Sequence, residues 1–261
     1  HVTPSDPLLD LAVRAARVGG VELTGRFGAP AAGISRKSSP TDLVSDADRA
    51  AESAIVAMLR AERPDDAVIA EEGAANGGAS GVRWLVDPLD GTTYYLWGIP
   101  HWCVSIAAHD ASGARVGVVH DPLRDETFTA LRGAGAWHGA RRLEVRRPLT
   151  MQEALVGTGF NYAREERARQ AARLRALLPA VRDLRRLGAA ALDLAWVAAG
   201  RLDAYFETGL APWDWAAGDL LVREAGGVVH EIPSHDGGPA LILAGPDDLA
   251  AAIAGLLKHG M

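Results

Sequence analysis

Apolar positions recur along this chain with two different periods. Over residues 5–27, Leu8, Leu9, Ala12, Ala15 and Ala16 fall at helical spacing, which predicts an amphipathic helix with Ser5 as its N-cap. A second helix is predicted after Ser45, with Ile55, Met58 and Leu59 as its buried stripe and Pro64 as its stop. "AVIA" (67–70) reads as a short apolar strand, and "WLV" (84–86) begins like a buried one. "AANGGASG" between them reads as a flexible loop. Residues 103–137 hold three strand-like runs, "CVSIAAHD", "ARVGVVHDP" and "ETFTALRGAGAW", separated by Ser-Gly and Asp-Pro turn signals. They predict an antiparallel meander.

Past residue 150 helices and strands alternate. "EERARQAARLRALL" reads as a helix that stops before Pro179, "VRDLRRLG" as a strand, and "AAALDLAWVAAG" as a helix closed by Gly200. "LDAYFE" is the next strand, and "WDWAAGDLLVREAGG" a helix with a Gly-Gly stop. "GVVHEI", "ALILAG" and a last helix, "PDDLAAAIAGLLKH", follow. The order predicts a mixed α/β fold with layered sheets. There is no internal repeat and no low-complexity tract.

Composition narrows the class. At 261 residues the chain fits one large domain or two closely packed lobes, and 48% apolar with 23% charged residues is ordinary for a globular protein. The net charge of −6 argues against a nucleic-acid partner. No apolar run is long enough to span a membrane, and no secretory signal is visible. The single cysteine, Cys103, excludes an internal disulfide and suits a reducing cytoplasm. The only lysines are Lys37 and Lys258.

The chemistry concentrates at the ends of apolar elements, where Glu71, Asp87, Asp90 and Asp214 stand. Carboxylates there are expensive to desolvate unless paired, and no matching set of cations lies nearby in sequence. An Asp/Glu cluster without His or Cys selects Mg²⁺ or Mn²⁺, through oxygen ligands and retained waters. "DGTT" follows at once. Gly91 permits a tight turn, and free N–H groups around Gly91, Thr92 and Thr93 would hold an anion if a helix starts there. Metal beside backbone donors describes a phosphate cradle.

Each feature also has a plainer reading. A single Asp at a strand end is more often a turn or cap residue. Asp48, three positions after Ser45, reads equally well as a first-turn helix acid. Glu72 reads as a surface carboxylate. The arginines of 164–186 are interleaved with acids, the pattern of a solvated face rather than an RNA site. Cys103 reads as a buried inert thiol and His101 as structural. Trp213 and Trp215 flank Asp214 as candidate walls of the site.

"WLVDPLDGTT" followed by "GIPHWCVSIA" resembles the first signature of the inositol monophosphatase family, and "WDWAAGDLLVREAGG" its second. "IAEEG", "KSSPTDLVSDAD" and "RRLGAAALDLAWVAAGRLDAYFETG" are similar to further family segments, from about residue 8 to 257. Haloacid dehalogenase phosphatases use Asp-x-Asp-Gly-Thr, whereas here two residues separate the aspartates. The resemblance implies a layered α/β/α/β/α sandwich, with an N-terminal lobe over 1–148 and a C-terminal lobe over 149–261. It implies two to three Mg²⁺ ions: Glu71, Asp87 and the Leu89 carbonyl at the first, Asp87, Asp90 and Asp214 at the second, and Glu71 with Asp48, through water, at a weaker third. Thr92 with Glu71 would orient the attacking water, and the Gly91 and Thr92 amides would hold phosphate. Gly188 and Ala190 would line the sugar side, Glu207 would accept hydrogen bonds from substrate hydroxyls, and Lys37 would sit on a loop near the metals.

The implied reaction is direct hydrolysis of a small phosphorylated polyol, inositol 1-phosphate first, by a lithium-sensitive, cytoplasmic homodimer. Fructose 1,6-bisphosphate, histidinol phosphate and an adenosine bisphosphate stay open as substrates, as does a catalytically silent relative that binds a partner. Tyr94 departs from the signature's Asn, and Ala189 from a common Ser or Thr.

Overall fold

The computed structural model describes residues 5–29, 33–36, 43–73, 75–148, 150–234 and 238–258. The chain opens with α1 (Pro7–Thr24), β1 (Ser35–Arg36), β2 (Leu43–Val44) and α2 (Asp46–Glu62). Next come β3 (Ala67–Ala70), β4 (Ala75–Asn76), β5 (Arg83–Asp90), α3 (Thr92–Leu96) and the meander β6 (Cys103–Asp110), β7 (Gly113–Asp121), β8 (Glu126–Leu131), β9 (Gly135–His138) and β10 (Arg141–Arg142). The remainder is β11 (Leu155–Thr158), α4 (Arg164–Leu177), β12 (Asp183–Arg185), α5 (Ala190–Ala198), β13 (Ala204–Thr208), α6 (Pro212–Glu224), β14 (Val228–Ile232), β15 (Leu241–Gly245) and α7 (Asp247–Lys258).

Strands β3–β10 form an eight-stranded sheet in the order β10-β9-β8-β7-β6-β5-β3-β4. Among the described residues, only β3 and β5 pair in parallel within it. The five-stranded sheet runs β12-β11-β13-β15-β14, parallel around β11 and antiparallel around β15.

Strand periodicity explains the layers. In β5, Trp84 and Val86 pack with Leu11, Ile55 and Leu59 of α1 and α2, while Leu85 faces the other way. Both faces of this strand are covered, so its sequence reads as an unbroken apolar run. Leu85, Cys103, Val119 and Phe128 meet Leu192 and Leu194 of α5 and Leu220 and Leu221 of α6. From the second sheet, Tyr205, Ile242 and Ala244 reach the same cluster. Their neighbours Ala204, Phe206 and Leu243 point outward to Leu177, Ile253 and Leu257. The result is five layers, α/β/α/β/α, with α5 and α6 between the two sheets.

Helix ends follow local chemistry, with one correction. Asp6, not Ser5, caps α1: its Oδ1 accepts the Leu8 N–H at 2.8 Å, and Pro7 takes the first helical position, where its missing N–H is harmless. Ser45 does cap α2, and Asp48 closes the capping box by accepting the Ser45 N–H at 2.8 Å. Gly200 and Gly226, at φ +70° and +85°, end α5 and α6 in the left-handed region. The loop expected after β3 contains β4, which pairs antiparallel with β3.

Candidate active site

Strand β5 solves a parity problem. Asp87 and Asp90 are three residues apart, and in a regular strand an odd separation sends side chains to opposite faces. The β5–β6 register is irregular here: Asp87 pairs with Ser105 but Asp90 with Cys103, so β5 holds one extra residue. Pro88, which has no N–H to give the ladder, lies inside this bulge. The bulge turns both carboxylates into one cleft of about 130 Å³. Asp87 is 2% exposed, and its Oδ1 accepts the Leu89 N–H at 3.0 Å.

Residues from several other segments converge on this cleft. Glu71 follows β3, where its N–H donates to the Val86 carbonyl at 3.1 Å and extends the parallel pairing. Gly91 joins β5 to α3 at φ +96°, and a Cβ there would meet the His101 carbonyl at 3.0 Å and the Trp102 Cβ at 3.1 Å. Both the backbone angle and the close packing call for glycine. Asp214 sits in the first turn of α6, accepting the Ala211 N–H at 2.7 Å. Gly188 and Ala190 lead into α5, and Glu207 projects from β13 between Tyr205 and Gly159.

Burial and mutual repulsion dominate the electrostatics. Desolvation first, then the Glu71, Asp90 and Asp214 charges, push the Asp87 carboxyl well above its ordinary range. Desolvation raises Asp90 to about 8, against the Ala191 N–H that donates to it. Asp214 is raised as well, by burial and then by Glu71 and Asp90. Burial lifts Glu207 to about 7, opposed by the Tyr205 hydroxyl and the Arg186 charge. Carboxylate and carbonyl oxygens line the cleft without sulfur or imidazole, a donor set that fits a hard divalent cation. Among the described residues no three His, Cys, Asp or Glu side chains stand close enough to hold an ion outright. Mg²⁺ retains several of its waters, so carboxylates spaced along a cleft suit it.

Thr92 and Asp48 occupy a different place from the other candidates. Neither lines the cleft. The Thr92 hydroxyl reaches both the Leu89 carbonyl, at 3.0 Å, and Asp48 Oδ1, at 3.2 Å. Asp48 is 1% exposed and also accepts from the Ser45 hydroxyl at 2.5 Å, so it is a buried cap that contacts Thr92. Lys37 lies outside the described residues. Trp213 and Trp215 pack on the central core rather than wall the cleft. Cys103 is buried, as expected.

Sequence reasoning missed Arg186 and Asn161, which also line the cleft. The Arg186 guanidinium stacks 5.4 Å over the Tyr94 ring, and the Tyr94 hydroxyl donates to the Arg186 carbonyl at 3.0 Å. The departure at position 94 thus ties α3 to the loop before α5. The pairing of "RRLG" with "TTYY" across ninety-two positions carries no local signal.

The profile of the inositol monophosphatase family matches residues 5–257. The chain belongs to the inositol monophosphatase family. The Nus factor SuhB of Haemophilus influenzae is 44% identical over 226 residues, 86% of this chain and 85% of that protein. The crystal structure of the extragenic suppressor protein SuhB from Bartonella henselae superposes with a TM-score of 0.91 at 38% identity, covering 98% of this chain and 100% of that one. The inositol monophosphatase from Anabaena (Nostoc) sp. PCC 7120 gives 0.82 at 33% identity, over 97% and 95%. The family works with divalent metal ions. No helix among the described residues is long and apolar enough to cross a membrane.

Proposed function

We propose that this protein is a Mg²⁺-dependent phosphomonoesterase for small phosphorylated polyols, with inositol 1-phosphate the favoured substrate. The observation that carries the reading is the bulge in β5, which delivers Asp87 and Asp90 to one cleft with Glu71, Asp214 and Gly91. Glu71, Asp87 and the Leu89 carbonyl would hold one ion, and Asp87, Asp90 and Asp214 a second. Bound Mg²⁺ supplies positive charge to the phosphoryl oxygens and lowers the pKa of a bound water.

The chain's own groups do the rest. The Thr92 hydroxyl lies behind the cleft lining with its proton turned to Leu89 O or Asp48; its oxygen lone pairs would then be the ones to accept from the water that Glu71 orients. The Gly91 and Thr92 amides would hold phosphate. Gly188, Ala190 and Glu207 would face the alcohol part, with Glu207 accepting from its hydroxyls. We propose the same organisation for the whole chain as for the site: lobes over 1–148 and 149–261, a cytoplasmic homodimer, Mn²⁺ as a substitute ion, and inhibition by Li⁺.

The relatives named Nus factor support a second reading, in which the protein binds a partner as a factor besides hydrolysing phosphate or instead of it. Under that reading the exclusion of nucleic-acid assemblies does not stand. Phosphate release from a panel of inositol 1-phosphate, fructose 1,6-bisphosphate, histidinol phosphate and adenosine 3',5'-bisphosphate, with and without Mg²⁺, tests the enzyme reading. The expected result is Mg²⁺-dependent release led by inositol 1-phosphate. Absence of Mg²⁺-dependent release from every member would overturn it.

A further inference from the structure

Helix α4, "REERARQAARLRAL", is rich in charge, yet Glu166, Gln170, Arg173 and Leu177 are buried along one face at helical spacing. An apolar stripe would have sufficed for docking, as Leu177 shows in the outer core. Two of the polar side chains, Gln170 and Glu166, instead bond to segments that line the candidate active site. Gln170 Nε2 donates to the Thr208 hydroxyl at 2.7 Å, and that hydroxyl donates to Glu166 Oε1 at 3.3 Å. Gln170 Oε1 accepts the Asn161 backbone N–H at 3.0 Å.

Arg173 lies 3.9 Å from Glu166 and is 6% exposed, and its Nε and Nη1 have no hydrogen-bond partner among the described residues. It lines a cavity of about 10 Å³ whose other walls include Gly159, Phe160, Glu207 and Thr208. Those four residues also line the active-site cleft, so the cavity sits directly behind the Glu207 wall. Burying an incompletely paired guanidinium is unfavourable. A stripe that accepts this penalty while gripping two cleft segments has a geometry suited to holding them rather than to docking a helix.

We propose that Gln170, supported by Glu166, is a positioning residue that holds the Asn161 segment and the Glu207–Thr208 segment in register for reading the substrate's alcohol part, with Arg173 packed beside them. Gln170 is the hinge of this arrangement, since its one amide group binds both segments at once. Asn161 is itself seated by glycine: a Cβ on Gly209 would collide with its Nδ2, which lies 2.5 Å from that point. Displacing Asn161 or Glu207 would therefore alter polyol recognition more than the phosphate and metal end. This inference rests on the phosphomonoesterase reading for its kinetic consequence, and on the hydrogen bonds alone for its structural one.

The test uses the full chain with Gln170→Met, which keeps length without polarity, and Gln170→Glu, which keeps an acceptor for Asn161. Gln170→Met should raise KM for inositol 1-phosphate about 3–30-fold, the range of one or two lost hydrogen bonds, with kcat little changed. Hydrolysis of p-nitrophenyl phosphate should change less than about twofold, and Gln170→Glu should recover part of the loss. In hydrogen exchange, the Asn161 amide should exchange faster in Gln170→Met while the helical amides of α4 keep their protection. Equal losses on both substrates with a matching fall in Tm would make the stripe merely structural, and an unchanged Asn161 amide would overturn the positioning outright. If the wild type hydrolyses p-nitrophenyl phosphate but no polyol phosphate, the substrate reading fails, and the exchange measurement still decides the positioning.

Discussion

The Ala191 N–H donates to Asp90 Oδ2 at 2.6 Å, joining the end of β5 to the first turn of α5 across 101 positions of sequence. The first-turn amides of a helix lack internal partners, so the bond satisfies a donor and a buried carboxylate together. Asp90 is therefore both a candidate metal ligand and a tie between the eight-stranded sheet and the central helical layer.

This double role separates two substitutions. Asp90→Asn keeps an oxygen for Ala191 and removes the charge a cation needs. Purified Asp90→Asn should retain a near-native metal-free Tm near pH 5, where the wild-type carboxyl is protonated, and lose turnover at saturating Mg²⁺. Ample residual activity would remove Asp90 from the metal set. Asp90→Ala should lose turnover and also destabilise the protein by roughly 1–3 kcal/mol, the penalty of an unsatisfied buried donor.

The raised carboxyls predict a pH-dependent stability in the metal-free protein. Asp90 moves from 3.8 to about 8 on folding, so between those values the folded state binds more protons than the unfolded chain. Stability from this group is fully present below pH 3.8 and is lost as pH rises through about 8. Asp87 and Asp214 shift in the same direction. In chelator, Tm should fall as pH rises from 5 to 9, and Asp90→Asn should flatten that slope. Saturating Mg²⁺ should raise Tm most at the alkaline end. A Tm that climbs over this window without metal would contradict the assignment of buried, mutually repelling acids.

Thr92 should matter through its hydroxyl. Thr92→Ala should lower kcat by roughly 10²–10⁴, the range for a lost proton-handling group, while Thr92→Ser should stay much closer to wild type. Both hydrogen bonds, to Leu89 O and Asp48, are available to serine. If the alanine and serine variants turn over alike, the hydroxyl is only packing.

The contrast between Thr92 and Gln170 shows what sequence carried and what it did not. Ser45, Gly200 and Gly226 act through their immediate neighbours, so helix ends were readable from residue type. Ser5 failed because Asp6 is an equally good cap and stands beside Pro7, which fits the first helical position. The acid set is legible because carboxylates at the ends of apolar runs conflict with burial, and the same conflict raises the carboxyls of Asp87, Asp90 and Asp214. The bulge that aims Asp87 and Asp90 was only half visible, as a proline in a strand. In sequence the polar stripe of α4 looks like a solvated face because its partners, Asn161 and Thr208, lie in other elements. Charged residues at every helical phase hide which face is buried until the tertiary contacts are known.

Glu207 gives the sharpest test of substrate class. Its carboxyl is raised to about 7 by burial, and the Tyr205 hydroxyl donates to it, so one oxygen is already engaged and the group faces the cleft with limited remaining capacity. Hydrogen bonds from substrate hydroxyls to this carboxylate are charge-assisted and contribute roughly 1.5–3 kcal/mol. Glu207→Ala should therefore depress kcat/KM for inositol 1-phosphate by about 10–150-fold and scarcely alter hydrolysis of p-nitrophenyl phosphate, which offers no hydroxyl. The alanine also strands the buried Tyr205 hydroxyl, so a lower Tm is expected whatever the substrate and does not discriminate. Glu207→Gln keeps an acceptor for Tyr205 and loses only the charge. It should hold its Tm and still lose part of the preference for inositol 1-phosphate. Because Glu207 is half-protonated near pH 7, that preference in the wild type should strengthen from pH 6 to 8 as the carboxylate forms. Parallel losses on both substrates, in Glu207→Gln as in Glu207→Ala, would mean that Glu207 braces the cleft without reading the alcohol, and would favour a phosphomonoester other than a polyol phosphate.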